Sequence, residues 1–223
     1  MHATKTVEIE ARCKVKNQTD LFTIFNSLDS APCFPGVHGN VHERNLVYVD
    51  AKRPNIAIRL RERIFPNQTA EYSYTEKEKN QSKIIRVKNE KTETLNGVEF
   101  RSRVRSCEYQ HIRTFVYERE FNPLHYRVFH GVKIEYFLFP FLGSFVEFEI
   151  KRGSEKDLKR IMKLFGYRFR DNIQESAKDM AFQFFLKNGE LPVRGILFSR
   201  KEWSGFCQEY GAKFGTDIKF LEE

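Results

Sequence analysis

Val7-Glu8-Ile9-Glu10-Ala11-Arg12-Cys13-Lys14-Val15 alternates without a break, apolar or thiol at every odd position and charged at every even one. A two-residue period sends successive side chains to opposite faces of an extended chain, so this stretch predicts a strand with one apolar and one charged face. Phe145-Val146-Glu147-Phe148-Glu149-Ile150-Lys151 repeats the arrangement, with Glu147, Glu149 and Lys151 opposite Val146, Phe148 and Ile150. Each of these strands carries a carboxylate pair. Basic counterparts follow the same period: Arg59, Arg61 and Arg63 align in 56–63, Arg101, Arg103 and Arg105 in 100–106, and Thr75, Lys77 and Lys79 in 72–79. Lys133 and Glu135 align opposite Val132, Ile134 and Tyr136, and further strands are expected over 46–50, 83–88, 114–121 and 125–129.

Helical patterns are fewer. Thr19 is placed to cap a helix over 20–28, and Ser154 with Asp157 forms a capping box for a helix reaching Phe165, with Leu158, Ile161, Met162 and Phe165 on its apolar stripe. A third helix is expected over 173–187, ending at Asn188-Gly189. Beyond Leu191-Pro192, Ser199 and Glu202 begin another helix that carries Trp203, Phe206 and Tyr210. The expected organisation is one main domain over 1–188 and a short extension over 189–223. A chain of 223 residues is long enough for one domain with a substantial core.

Composition narrows the classes. The chain is 40% hydrophobic and 30% charged, and it has no stretch near the roughly 18 apolar residues that span a bilayer. The first ten residues are charged and lack an apolar run, so the expected location is cytoplasmic. Cys13, Cys33, Cys107 and Cys207 are scattered without a close pair, which argues against a zinc ribbon or a disulfide scaffold. His38 and His42, placed around Gly36 and Gly39, read as surface histidines in a loop. A net charge of +8 implies attraction to polyanions, and 22 phenylalanines supply an aromatic core. No Gly-x-Ser-x-Gly elbow, phosphate-binding Gly-Lys loop or dinucleotide fingerprint is present.

One strand with a charged face is ordinary surface. Six or more, each with its own dominant sign, point instead to an α+β fold in which a closed antiparallel eight-stranded β-barrel turns the charged faces into a lumen and helices cover the outside. Such a tunnel suits a hard divalent cation held by carboxylates together with a polyphosphate held by Arg and Lys. Crowded glutamates need that compensation, because like charges at close range resist ionising together.

These residues resemble the CYTH, or triphosphate tunnel metalloenzyme, superfamily, which includes class IV adenylyl cyclases, thiamine triphosphatases, inorganic tripolyphosphatases and metal-dependent RNA triphosphatases. Glu8-Ile9-Glu10-Ala11-Arg12 is similar to the family's Glu-x-Glu-x-Lys, with Arg in place of Lys. Tyr48-Val49-Asp50 resembles its Tyr-x-Asp, Ile58-Arg59-Leu60-Arg61 its Leu-Arg-x-Arg, and Thr75-Glu76-Lys77 its Thr-x-Lys. The stretch from Leu142 to Glu149 is similar to the one carrying the second acidic pair, and Phe165-Gly166-Tyr167 followed by Ser176 fits the terminal region. The sequence departs from the pattern at Arg86-Val87-Lys88-Asn89-Glu90 and at Tyr117-Glu118-Arg119, while Arg101-Ser102-Arg103-Val104-Arg105 resembles a basic strand of RNA triphosphatases.

The resemblance implies that Glu8, Glu10, Glu147 and Glu149, with Glu135 as a lesser candidate, hold Mg²⁺ or Mn²⁺ and act catalytically. Arg12, Arg59, Arg61, Lys77, Arg103 and Arg119 would bind the triphosphate. The implied reaction is metal-dependent hydrolysis of a triphosphate-containing small molecule or an RNA 5′ end, releasing orthophosphate. A cyclase making cyclic AMP and pyrophosphate from ATP, and a non-catalytic polyphosphate or nucleotide binder, remain open alternatives. Neither membrane association nor recognition of DNA sequence is expected.

Overall fold

The computed structural model describes residues 4–50, 52–79, 86–139, 142–187 and 195–196. In chain order these form β1 (Thr4–Lys14), α1 (Gln18–Ser27), β2 (Val41–Asp50), β3 (Ile56–Ile64), β4 (Ala70–Lys79), β5 (Arg86–Leu95), α2 (Gly97–Gln110), β6 (His111–Phe121), β7 (Tyr126–Phe129), β8 (Val132–Phe139), β9 (Gly143–Ile150), α3 (Glu155–Leu164), α4 (Ala177–Lys187) and β10 (Gly195–Ile196). Eight long strands lie side by side in the order β6-β2-β3-β4-β5-β1-β9-β8, all antiparallel, with β7 on the far edge of β8 and the two-residue β10 parallel to β6.

The sheet curls until β6 meets β8, but among the described residues the two pair as strands at Glu120 opposite Leu138 alone. The expected closed barrel is therefore an incompletely closed one. The reason lies in what already occupies the two edges. β7 pairs with β8 over Val132–Glu135, and β10 pairs with β6 at Val116 and Tyr117, leaving little of either edge for a mutual ladder.

α1, α2 and α3 cover the outer, apolar face, while α4 packs at one end of the inner face. Leu21, Phe25 and Leu28 of α1 and its C-cap join Leu158, Ile161 and Met162 of α3 over Ala11, Cys13, Val132, Ile134, Val146 and Phe148. α2 lays Phe100 and Cys107 over Tyr48, Ile58, Leu60, Tyr74 and Leu95. Ala177 and Ala181 of α4 belong to a third cluster with the aromatic rings of Phe115, Phe121, Phe137, Phe139 and Phe145. α3 ends where Gly166 takes φ +77°, which lets the amide of Tyr167 reach back to the carbonyl of Met162 at 2.9 Å.

Several expectations need correction. The strand expected over 100–106 is helix α2. Asn96 and Glu99 form a capping box at its start, and Phe100, Val104 and Cys107 fall on one helical face against the sheet. The local cap and the apolar spacing override the alternating arginines. The first helix is capped by Asn17, whose side chain accepts from the amides of Thr19 and Asp20, so it starts before Thr19. The helix expected from 173 starts at Ala177, because Asn172 and Ile173 are taken up by β1: the Asn172 side chain accepts from the amide of Arg12, and the Ile173 amide donates to the Arg12 carbonyl. His42 lies in β2 and not in a loop. Asp50 of the Tyr-x-Asp stretch caps the following turn, accepting from Arg53 Nε at 2.7 Å and the Lys52 amide at 2.8 Å. Cys13, Cys33 and Cys107 are free thiols, and Cys207 lies outside the described residues. The helix expected at Ser199 and the soft boundary near 188 also fall outside them.

Candidate active site

The inner face of the curled sheet is charged. Cross-strand register sets Glu10 opposite Glu149 and Arg12 opposite Glu147 on β1 and β9, and Glu147 opposite Glu135 and Glu149 opposite Lys133 on β9 and β8. On the other wall, Glu43 of β2 faces Arg63 of β3 and Arg119 of β6, and Asn45 faces Arg61 and Tyr117. Arg59 lies opposite Thr75, and Lys77 opposite Glu90. An acidic wall on β1, β9 and β8 thus confronts a basic wall on β3, β4 and β6. Glu10, Glu43, Asn45, Thr75, Arg119, Lys133, Glu135, Glu147 and Glu149 are all buried, although most of them carry charge.

Burying charge is tolerated only where partners replace water. Here the two walls partner each other and their own neighbours. Arg12 donates to Glu147 through Nε at 3.0 Å and Nη2 at 2.7 Å. Lys133 pairs with Glu149 and lies 3.5 Å from Glu135. Lys77 Nζ is 2.9 Å and Arg59 Nη2 3.4 Å from Glu90. Glu43 meets Arg61, Arg63 and Arg119 at 3.2, 2.8 and 2.6 Å. Arg119 also reaches Glu135 at 3.0 Å and lies over the ring of Phe137, 4.8 Å from its centre.

The ionisation states follow from this packing. Burial alone would raise the carboxyl of Glu43, but Arg119, Arg61 and Arg63 hold it well below the usual range. Glu90 is likewise held low, Lys77 and Arg59 outweighing its burial. Glu147 and Glu149 are lowered against their own desolvation, chiefly by Arg12 and Lys133 respectively among the cations. Burial first, then Arg59, pulls Arg61 down to about 10, which leaves it charged at neutral pH. Burial would raise the phenol of Tyr117, yet Arg59, Arg61 and Arg119 lower it.

The structure gathers Glu10, Glu147, Glu149, Arg12, Arg59, Arg61, Lys77 and Arg119 on this inner face, together with Glu135. Glu8 sits in β1 opposite Lys88, and its side chain falls outside the described residues. Arg103 is elsewhere. It lies on α2 outside the sheet, with its guanidinium 4.9 Å from the centre of the Tyr74 ring and 3.4 Å from Glu93, so it does not line the site. Reading the sequence missed Glu43, Asn45 and Tyr117 as inner residues. At His42-Glu43-Arg44-Asn45 no apolar residue marks the outer face, because that face carries its own ion pair, Arg44 with the buried Glu118 at 2.7 Å.

Among the described residues no three carboxylate, imidazole or thiolate groups already converge as a metal site. The acidic wall nevertheless fits a hard cation. Its donors are all carboxylate oxygens, and both oxygens of the buried Glu135 lack an aligned hydrogen bond even with Arg119 nearby. Within the same wall, Nη1 of Arg12 is buried without a hydrogen-bond partner among the described residues, a donor suited to an anion.

No family model matches the sequence, and no significant match was found among curated proteins. Solved structures do match. PH1012 protein from Pyrococcus horikoshii aligns with TM-score 0.61 at 15% identity, over 76% of this chain and 96% of that one. A candidate adenylate cyclase from Vibrio parahaemolyticus aligns with TM-score 0.61 at 14% identity, over 78% of this chain and 97% of that one. The chain shares its fold with these proteins. A conserved protein from Pyrococcus furiosus aligns with TM-score 0.57 at 18% identity, over 76% of this chain and 97% of that one. At such identities the likeness is one of architecture, and the chemistry rests on the inner face of this curled sheet. No helix among the described residues is long and apolar enough to cross a membrane.

Proposed function

We propose that this protein is a divalent-metal-dependent triphosphatase that cleaves the terminal phosphate from a triphosphate chain and releases orthophosphate. The observation that carries the reading is the confrontation of two walls on the inner face of one curled sheet, one of buried carboxylates and one of half-buried to buried guanidinium and ammonium groups.

Arg59, Arg61, Lys77, Arg119 and Arg12 take the phosphate oxygens. Their planar forks and point charges neutralise a chain of negative groups and oppose the charge that grows on the leaving oxygens. Glu10, Glu147 and Glu149, with Glu8 and Glu135 in support, are the residues that would hold Mg²⁺ or Mn²⁺. When bound, that ion lends Lewis-acid polarisation of the phosphoryl oxygens and helps orient water. The aromatic rings of Phe137, Phe139 and Phe145 at one end of the inner face limit water there and strengthen the electrostatics of their charged neighbours. Neither a covalent nucleophile nor a membrane is involved. The substrate is a triphosphate-containing small molecule or an RNA 5′ end, and the protein acts in the cytoplasm.

A product assay tests this. The protein is incubated with Mg²⁺ or Mn²⁺ and tripolyphosphate, ATP or 5′-triphosphorylated RNA, and orthophosphate is resolved from pyrophosphate. Orthophosphate released only with metal is the expected result. Pyrophosphate with cyclic AMP from ATP would make the protein a cyclase, and binding without turnover on every substrate would make it a polyphosphate binder.

A further inference from the structure

We propose that Glu43, seconded by Asn45, is the positioning anchor that holds the arginines of the basic wall in phosphate-binding orientation; this rests on the triphosphate reading above. Three guanidinium groups converge on one fully buried carboxylate. They do so mainly through one edge. Arg119 Nε lies 2.6 Å from Oε1, Arg63 Nε 2.8 Å from Oε2, and Arg61 Nε 3.2 Å from Oε1. Asn45 completes the arrangement, accepting from Arg61 Nε at 3.1 Å and donating to Glu43 Oε1 at 2.9 Å.

A guanidinium has five N–H donors in a rigid plane, so fixing the Nε side also fixes where the terminal nitrogens point. With Glu43 at the Nε edges, the Nη groups can turn toward other partners. Arg119 Nη2 shows this, reaching Glu135 at 3.0 Å while keeping a longer bond to Glu43 at 3.2 Å. The carboxylate also cancels repulsion that would otherwise spread three neighbouring cations apart. Because those cations keep Glu43 ionised well below its ordinary range, it has no proton to give near neutral pH, which fits a positioning role and not an acid–base one.

The sign of one effect separates an anchor from a mere neighbouring charge. Removing a negative charge beside an anion site should tighten anion binding by electrostatics alone, whereas loss of an anchor should weaken it. The experiment compares the wild-type chain with Glu43→Gln, Glu43→Asp and Asn45→Ala. Calorimetric binding of inorganic tripolyphosphate is measured with and without Mg²⁺, alongside KM, kcat and far-ultraviolet circular dichroism. Glu43→Gln is expected to bind about ten- to a hundredfold more weakly, since charge-assisted bonds are lost or misdirected. KM should rise with any fall in kcat, Glu43→Asp should recover part of the loss, and Asn45→Ala should show a smaller loss of the same sign.

Binding as tight as wild type or tighter in a folded Glu43→Gln protein overturns the anchor. So does a fall in kcat with binding intact, which would place Glu43 at the reacting atoms. If Glu43→Gln does not fold, Asn45→Ala decides, and unchanged affinity there overturns the proposal. A wild-type chain that binds no tripolyphosphate overturns the triphosphate reading itself, and the anchor with it.

Discussion

Two arginine triplets with the same spacing meet opposite fates in this molecule. Arg59, Arg61 and Arg63 lie on β3, where a spacing of two keeps all three on the inner face, against Glu90 and Glu43. Arg101, Arg103 and Arg105 lie on α2, where residues two apart point to nearly opposite sides of the helix, and all three are exposed. Arg103 turns to Tyr74 and Glu93, while Arg101 and Arg105 line an outer cleft with Arg44. What separates the triplets is the company they keep. Ile56, Ile58 and Leu60 alternate with one, whereas Phe100, Val104 and Cys107 recur at helical spacing through the other.

The sharpest way to break this contrast is Arg61→Ala, which should lower kcat/KM for the triphosphate substrate by about 10² to 10³, the scale set by losing one preorganised donor to developing charge. Steady-state kinetics checks it, and near-normal turnover would remove β3 from the site. Next in size is Phe100→Ala, which takes the main apolar contact from beneath α2 and should cost about 3 kcal/mol in a denaturant titration. Full stability in that variant would mean that α2 is held by something other than its buried face.

Acid sharpens the comparison further. The inner carboxylates have lowered folded values, so the stability they contribute is complete above their unfolded value of about 4.3 and is lost as pH falls through the folded ones. Melting temperature should therefore hold from neutral pH to about 5 and decline below about 4. Glu43→Gln should decline less steeply. The smallest effect belongs to Arg103→Ala. It should leave turnover unchanged and cost under about 1 kcal/mol, as exposed ion pairs and ring contacts do. A large loss of activity there would return Arg103 to the site.

Most of the sheet was legible because its strands have one polar and one apolar face. β1, β3 and β9 could be read residue by residue, and the inner positions of Glu10, Arg59, Arg61, Glu147 and Glu149 followed from parity. Legibility failed where both faces are polar, as at Glu43, whose strand shows Arg44 on the outside in place of an apolar residue. It failed again where alternation in charge coincided with a helical apolar pattern, as in α2. Closure was also unreadable, because it turns on which strand wins the free edges of β6 and β8, a competition between distant segments. The partnership of Arg119 with both Glu43 and Glu135 is equally non-local, joining three strands.

The inner face is balanced before anything binds, and this makes it resemble an ion-exchange resin more than an open basic groove. On the proposed reading, an incoming polyphosphate would exchange with glutamates already seated on Lys77 and Arg12, and each glutamate it displaced would become available to a positive ion. The displaced counterions are the protein's own side chains and not dissolved salt. Affinity should therefore fall less steeply with ionic strength than for a surface patch of equal charge, where release of salt ions drives association.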